Sequence, residues 1–192
     1  VNIKKVLSSK ALKLLFLLLT SMLIASASAA VYYSIIMEPT VTIKQAVVQF
    51  AEGSDWSHVA GDIGENNTWC SLSLKAYPNA TLTYEQPLNI SNTDADYSHQ
   101  FRLRHVSITP ASGSVSVSNF TFIKFVVKNA AGVSQASFNY TTLNDDWDIP
   151  SMPSYLTLPE NTEWIIYIET KAAAGATKDI AASIVIAVEV LE

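Results

Sequence analysis

The chain has 192 residues, 49% of them hydrophobic and 15% charged, with a formal net charge of −5 and one cysteine. An acidic balance repels phosphate backbones, which argues against a nucleic-acid partner. A single cysteine excludes an intramolecular disulfide and any metal site built on two or more thiolates, so the fold must be held by packing or by partners.

The N-terminal segment runs from basic "VNIKKVLSSKALK" through apolar "LLFLLLTSMLIA" to small "SASAA". That is the order of a secretory signal, and it predicts removal of residues 1–29 with export of the rest. The apolar run Leu14–Ala25 is too short for a permanent membrane anchor. Loss of residues 1–29 takes four of the 12 basic residues and none of the 17 acidic ones, moving the net charge from −5 to −9. A rival reading keeps the uncharged stretch Leu14–Met37 as the N-terminal helix of a type IV pilin, cleaved after Ala11 in "SSKAL". Lys13 inside that helix and the small-residue tract weaken it.

Residues 30–40 form a distinct element. Ala30, Val31, Tyr32, Tyr33, Ser34, Ile35, Ile36 and Met37 carry no charge, and their aromatic and β-branched side chains suit a strand better than a helix. Val31, Tyr33 and Ile35 would share one face, Tyr32, Ser34 and Ile36 the other. An apolar strand left free on a secreted protein is an aggregation hazard, so it must pair within its own domain or with another molecule. Pro39 follows as a natural elbow, because it cannot donate a ladder hydrogen bond.

From Val41 to the end the pattern is β throughout, with no linker or repeat, and residues 41–192 are expected to form one domain. "VTIKQAVVQFA" reads as a first strand. "EGSDWSHVAGDIGENN" reads as a loop with one short helical turn. Strands are then expected in "TWCSLSLKAY", "ATLTYEQPLNIS" (where Pro87 demands an edge or bulge), "HQFRLRHVSI", "VSVSNFTFIKFVVK" and "VSQASFNYTT". A proline-rich acidic loop, Leu143–Thr162, separates these from "EWIIYIET" and "DIAASIVIAVEVL". The last run should be central. Eight to ten short strands at this spacing predict a two-sheet, jelly-roll-like β-sandwich.

Chemistry is sparse. His58, His99 and His105 lie far apart and outside any zinc motif, and there is neither a nucleophile elbow nor a phosphate-binding glycine loop, so no catalytic residue is expected. Two acidic loops have oxygen ligands at alternate positions, as calcium requires: Asn92, Asp94 and Asp96, and Asn144, Asp145, Asp146 and Asp148. The same residues are ordinary turn formers. No other cofactor is implied. Sequons for N-glycosylation occur at Asn66, Asn79, Asn89, Asn119 and Asn139. Trp56 and Trp147, in predicted loops, are candidate interface anchors. Cys70 alternates into a strand and should be a small buried hydrophobe.

The order "AVYYSII", "IKQAVVQFAEG", "SLSLKAYPNATLTYEQPLNISNTD", "FRLRHVSITPASG" resembles the TasA/camelysin family of biofilm-matrix fibre proteins, in particular their archaeal relatives, the bundling pili. The resemblance implies jelly-roll subunits that polymerise by donor-strand complementation, with Ala30–Met37 completing the sheet of a neighbour. It implies a non-catalytic, extracellular homopolymer that bundles in a biofilm matrix or joins cells, with no nucleic acid and no permanent membrane anchor. A type IV pilin-like subunit and a monomeric secreted binding module are the alternatives. The acceptor residues cannot be named from the sequence.

Overall fold

The computed structural model describes residues 10–29, 45–110, 119–176 and 181–191; Ala30–Met37 and Pro39 fall outside them. The chain divides into two units, Val1–Ile43 and Lys44–Glu192. In the first, helix α1 spans Lys10–Ala29. Leucine is among the better helix formers and dominates its middle. The Thr20 hydroxyl bonds back to the carbonyls of Phe16 and Leu17, each at 3.0 Å, so a polar side chain is accommodated within the helix. No helix among the described residues is long and apolar enough to cross a membrane.

The second unit is built of strands: β1 (Val48–Glu52), β2 (Ala60–Ile63), β3 (Trp69–Lys75), β4 (Thr81–Asn92), β5 (His99–Pro110), β6 (Phe120–Lys128), β7 (Ser134–Leu143), β8 (Asp146–Asp148), β9 (Leu156–Leu158), β10 (Glu163–Ala172) and β11 (Ala181–Leu191). They form two sheets, ordered β1-β4-β10-β6-β7-β8 and β2-β3-β11-β5-β9. Every strand pairing is antiparallel. Four of the pairings nest inside one another: β3 with β11, β4 with β10, β5 with β9, and β6 with β7. A long antiparallel ribbon wound so that successive pairs alternate between two sheets is a jelly roll. β11 is the middle strand of its sheet, as its apolar run requires.

Period-two alternation makes the core. On β10, Trp164, Ile166, Ile168, Thr170 and Ala172 point inward; on β11 Ala182, Ile184 and Ile186 do; on β3 Cys70, Leu72 and Leu74 do. Each large side chain fully buried in this way contributes about 1.5–3 kcal/mol relative to exposure. Burial pushes the Cys70 thiol well above its ordinary pKa, so it behaves as a hydrophobe and not a nucleophile. The inward Thr170 hydroxyl is satisfied by the Lys75 carbonyl at 2.6 Å.

Two details show the sequence at work. Pro87 sits where β4 bulges against β10: Leu88 faces Ile166 and Tyr84 faces Ile168, leaving three residues opposite one. There its missing N–H costs no ladder bond. Asn79 occupies a left-handed turn position, φ 59°, which Asn tolerates better than most residues.

Candidate functional site

The surface features that bear on assembly are the edges of the two sheets. On one side the sandwich ends in β1 and β2, which follow each other in the chain. Here the Phe50 N–H on β1 donates to the Asn67 carbonyl at 2.7 Å, so this edge is partly occupied by the chain itself. Trp56, in a one-turn 3-10 helix, lies over Gly61, where a Cβ would come within 2.5 Å of the indole. The loop between β1 and β2 is thus clamped to β2, and Trp56 is partly buried against the core.

The opposite side is open among the described residues. β8 covers only Thr141–Leu143 of β7, and β9 covers only His99–Phe101 of β5. Among the described residues, Ser134–Tyr140 of β7 and Arg102–Pro110 of β5 have a strand on one flank only. The two edges approach each other across the sheets: the His105 ring and the Tyr140 hydroxyl lie 3.0 Å apart, with ring centroids at 5.5 Å. Below them Phe125 stacks on Phe138 at 4.9 Å, and Tyr140 meets both rings edge-on.

The connection from β8 to β9 passes between the sheets on this same side. It contains Pro150 and Pro153, and among the described residues no main-chain hydrogen bond ties Ile149–Tyr155 to either strand edge. It is fixed by side chains instead. Met152 packs against the core, and the Tyr155 hydroxyl donates to Glu189 at 2.8 Å. Arg102 makes two 3.0 Å bonds to the same carboxylate and lies 4.9 Å over the Tyr155 ring. The Tyr155 hydroxyl and then Arg102 hold the Glu189 carboxyl below its ordinary range.

The side chains of the two acidic loops are engaged in turns, caps and an ion pair. Asn92 is 2% exposed, and its Nδ2 donates to the carbonyls of Tyr97, Leu158 and Pro159, while its Oδ1 accepts the Asp94 N–H. The Asp94 Oδ1 accepts the N–H groups of Asp96 and Tyr97, and its Oδ2 takes the His99 Nε2–H at 2.9 Å. The Asp96 amide and then the His99 ring keep the Asp94 carboxyl below the usual carboxylate range. Asp96 itself is exposed. In the other loop Asn144 and Asp145 are the two positive-φ residues (53° and 63°) of a tight hairpin between β7 and β8, where a type I′ turn demands them. The Asp146 carboxylate accepts the Trp147 N–H, and that of Asp148 accepts the Thr141 hydroxyl. Among the described residues no three or more His, Cys, Asp or Glu side chains converge on a point a metal could occupy.

The sequons are placed unequally. Asn66, Asn79 and Asn139 are exposed and Asn119 is half-buried, but Asn89 is buried with its Nδ2 donated to Glu163 at 2.8 Å. In the folded domain Asn89 does not present its amide to a glycan. Trp147 is partly buried beside Phe120, at 5.3 Å between centroids.

No family model and no curated protein matches this chain. Among solved structures it is similar to the crystal structure of the enzymatically active domain of bacteriophage CBA120 tailspike protein 4, at 10% identity and a TM-score of 0.30. The match covers 78% of this chain and only 20% of that one, so the chain spans about a fifth of the structure it matches.

The open side is the feature that residue patterns did not locate. The signal was present in one respect: "SQASFNY", Ser134–Tyr140, has neither charge nor proline, the usual guards of an edge strand. What the sequence cannot show is that β8 stops after three residues and leaves that edge without a partner among the described residues.

Proposed function

We propose that this chain is a structural, non-catalytic subunit of an extracellular filament that polymerises head to tail by donor-strand complementation. Ala30–Met37 of one copy supplies a strand to the next, and the filaments bundle in a biofilm matrix or join cells. The observation that carries the reading is one of sides. The described residues enter the jelly roll at β1, and the long strand edges that have no partner among the described residues lie at the other side, on β5 and β7. A subunit that gives a strand from one side and takes one at the other makes a heterologous contact that does not close, and such contacts propagate.

The energetics are of the right kind. Strand addition satisfies exposed main-chain groups and places alternate side chains against the core. Burying Val31, Tyr33 and Ile35 would contribute about 1.5–3 kcal/mol for each apolar side chain. The acidic surface, at net −9 without residues 1–29, would make lateral bundling stronger as salt rises, since like charges on neighbouring filaments are then screened.

The test is deletion of Ala30–Met37 from the secreted protein. The expected product is a soluble, folded monomer that forms no filaments by electron microscopy, where the intact protein does. Filaments from the deleted protein would refute the reading.

A further inference from the structure

We infer that the acceptor for the incoming strand is the open edge of β7, Ser134–Tyr140, and that its occupant is Ala30–Met37 of a second copy of this chain. The inference rests on the filament reading above and adds to it the place where the strand is received.

Two long edges are available on the open side, and they differ in how they are guarded. The β5 edge carries Arg102 and Arg104, ends in Pro110, and is bulged where Val185 faces Ser107 and Ile186 faces His105, leaving Val106 as an extra residue. Charges, prolines and bulges are the devices by which edge strands refuse a partner. The β7 edge carries no charge and no proline, and its one bulge lies at its start, where Val127 faces Ala136 and Lys128 faces Ser134, leaving Gln135 as the extra residue. Its register with β6 runs unbroken from Ala136 to Tyr140, and no residue from Ser134 to Tyr140 is charged.

The occupant is argued from length, charge and side-chain character. Among the described residues seven residues of β7 are uncovered, five of them (Ala136–Tyr140) in unbroken register with β6, and the donor segment has eight. Both are uncharged, so pairing them buries no unpaired charge. The inward side chains of this stretch, Phe138 and Tyr140, belong to the aromatic cluster with Phe125, and alternate donor residues would extend it with Val31, Tyr33 and Ile35 or with Tyr32 and Ile36. Aromatic and β-branched neighbours across strands are the favourable pairs in a sheet.

The second copy follows from the filament reading. β1 and β7 are separated by β4, β10 and β6, about 19 Å at ~4.8 Å per strand spacing. The ten residues 38–47 could span that distance at ~3.3 Å each, so self-pairing is the competing outcome that the isotope labels below decide. A strand donated forward leaves each copy with its own β7 edge free for the copy behind. The prolines of Ile149–Tyr155 suit the same arrangement, because that connection crosses the open side without filling the β7 ladder.

The test uses the intact secreted chain with p-benzoylphenylalanine incorporated at Tyr33. Equal amounts of 14N- and 15N-labelled subunits are assembled, irradiated, and the adducts located by mass spectrometry. The expected result is adducts joining light to heavy chains, with the label on Ser134–Tyr140. Inter-chain adducts on β5, β1 or β2 would overturn the β7 assignment while leaving donor-strand assembly intact. Adducts only within single chains, or filaments with no adduct from this position, would overturn both.

Discussion

Asn92→Asp is expected to lower the stability of the jelly roll by about 4 kcal/mol, and Asn92→Ala by about 3 kcal/mol. The Asn92 amide ties the end of β4 to the β4–β5 loop and to the chain after β9 through three carbonyls, those of Tyr97, Leu158 and Pro159. Alanine leaves the buried Leu158 carbonyl and the part-buried carbonyls of Tyr97 and Pro159 without this donor, at about 1–3 kcal/mol for a buried acceptor and less for the other two. Aspartate is worse, because it sets a buried anion against three carbonyl oxygens that had been accepting hydrogen bonds. The calcium reading of the same loop predicts the reverse order, since an added carboxylate would strengthen a cation site. Urea unfolding of both variants, with and without millimolar calcium, separates the two. An Asp variant as stable as the parent, or one rescued by calcium, would show that the loop is a metal site.

Phe125→Ala is expected to cost about 4 kcal/mol, within the ~3–5 kcal/mol of large aromatic truncations in a packed core. Phe125 is fully buried, stacked on Phe138 with an interplanar angle of 4°, and edge-on to Tyr140. Truncation opens a cavity and removes ring–ring attraction worth about 0.5–1.5 kcal/mol per pair. At ~2–4 °C per kcal/mol for a domain of this size, the melting temperature should fall by about 8–16 °C. Phe122→Ala on the same strand is the control. Its side chain points the other way and is only partly buried, so about 1 kcal/mol or less is expected. Equal losses from the two variants would mean that the inward and outward faces of β6 are misassigned.

Much of the fold was legible because strands announce themselves by alternation. "EWIIYIET" and "DIAASIVIAVEVL" appear as β10 and β11 with alternate residues buried, and Pro87 marks a bulge as its missing N–H required. The failures have physical causes. β2 is hidden in what reads as a loop because Ala60–Ile63 contains a glycine and an aspartate; the indole of Trp56 over Gly61 replaces the side chain that glycine lacks. β8 is hidden because its strand is three residues long and its turn, Asn144-Asp145, looks like an acidic cluster. Asn and Asp are favoured both as calcium ligands and as left-handed turn residues, so their spacing alone cannot separate the two uses. The uncovered edge of β7 was beyond sequence reasoning altogether. An edge exists only through the absence of a neighbour, and that depends on where other strands end.

Electron cryo-microscopy of filaments assembled from the intact chain tests the central claim most directly. The account predicts an added strand beside the jelly roll, with the side chains of Ala30–Met37 traced to it from the preceding subunit. A filament whose axis is instead a bundle of helices running from about Leu12 to Met37, with closed jelly rolls hung outside it, would contradict the account and establish the type IV architecture.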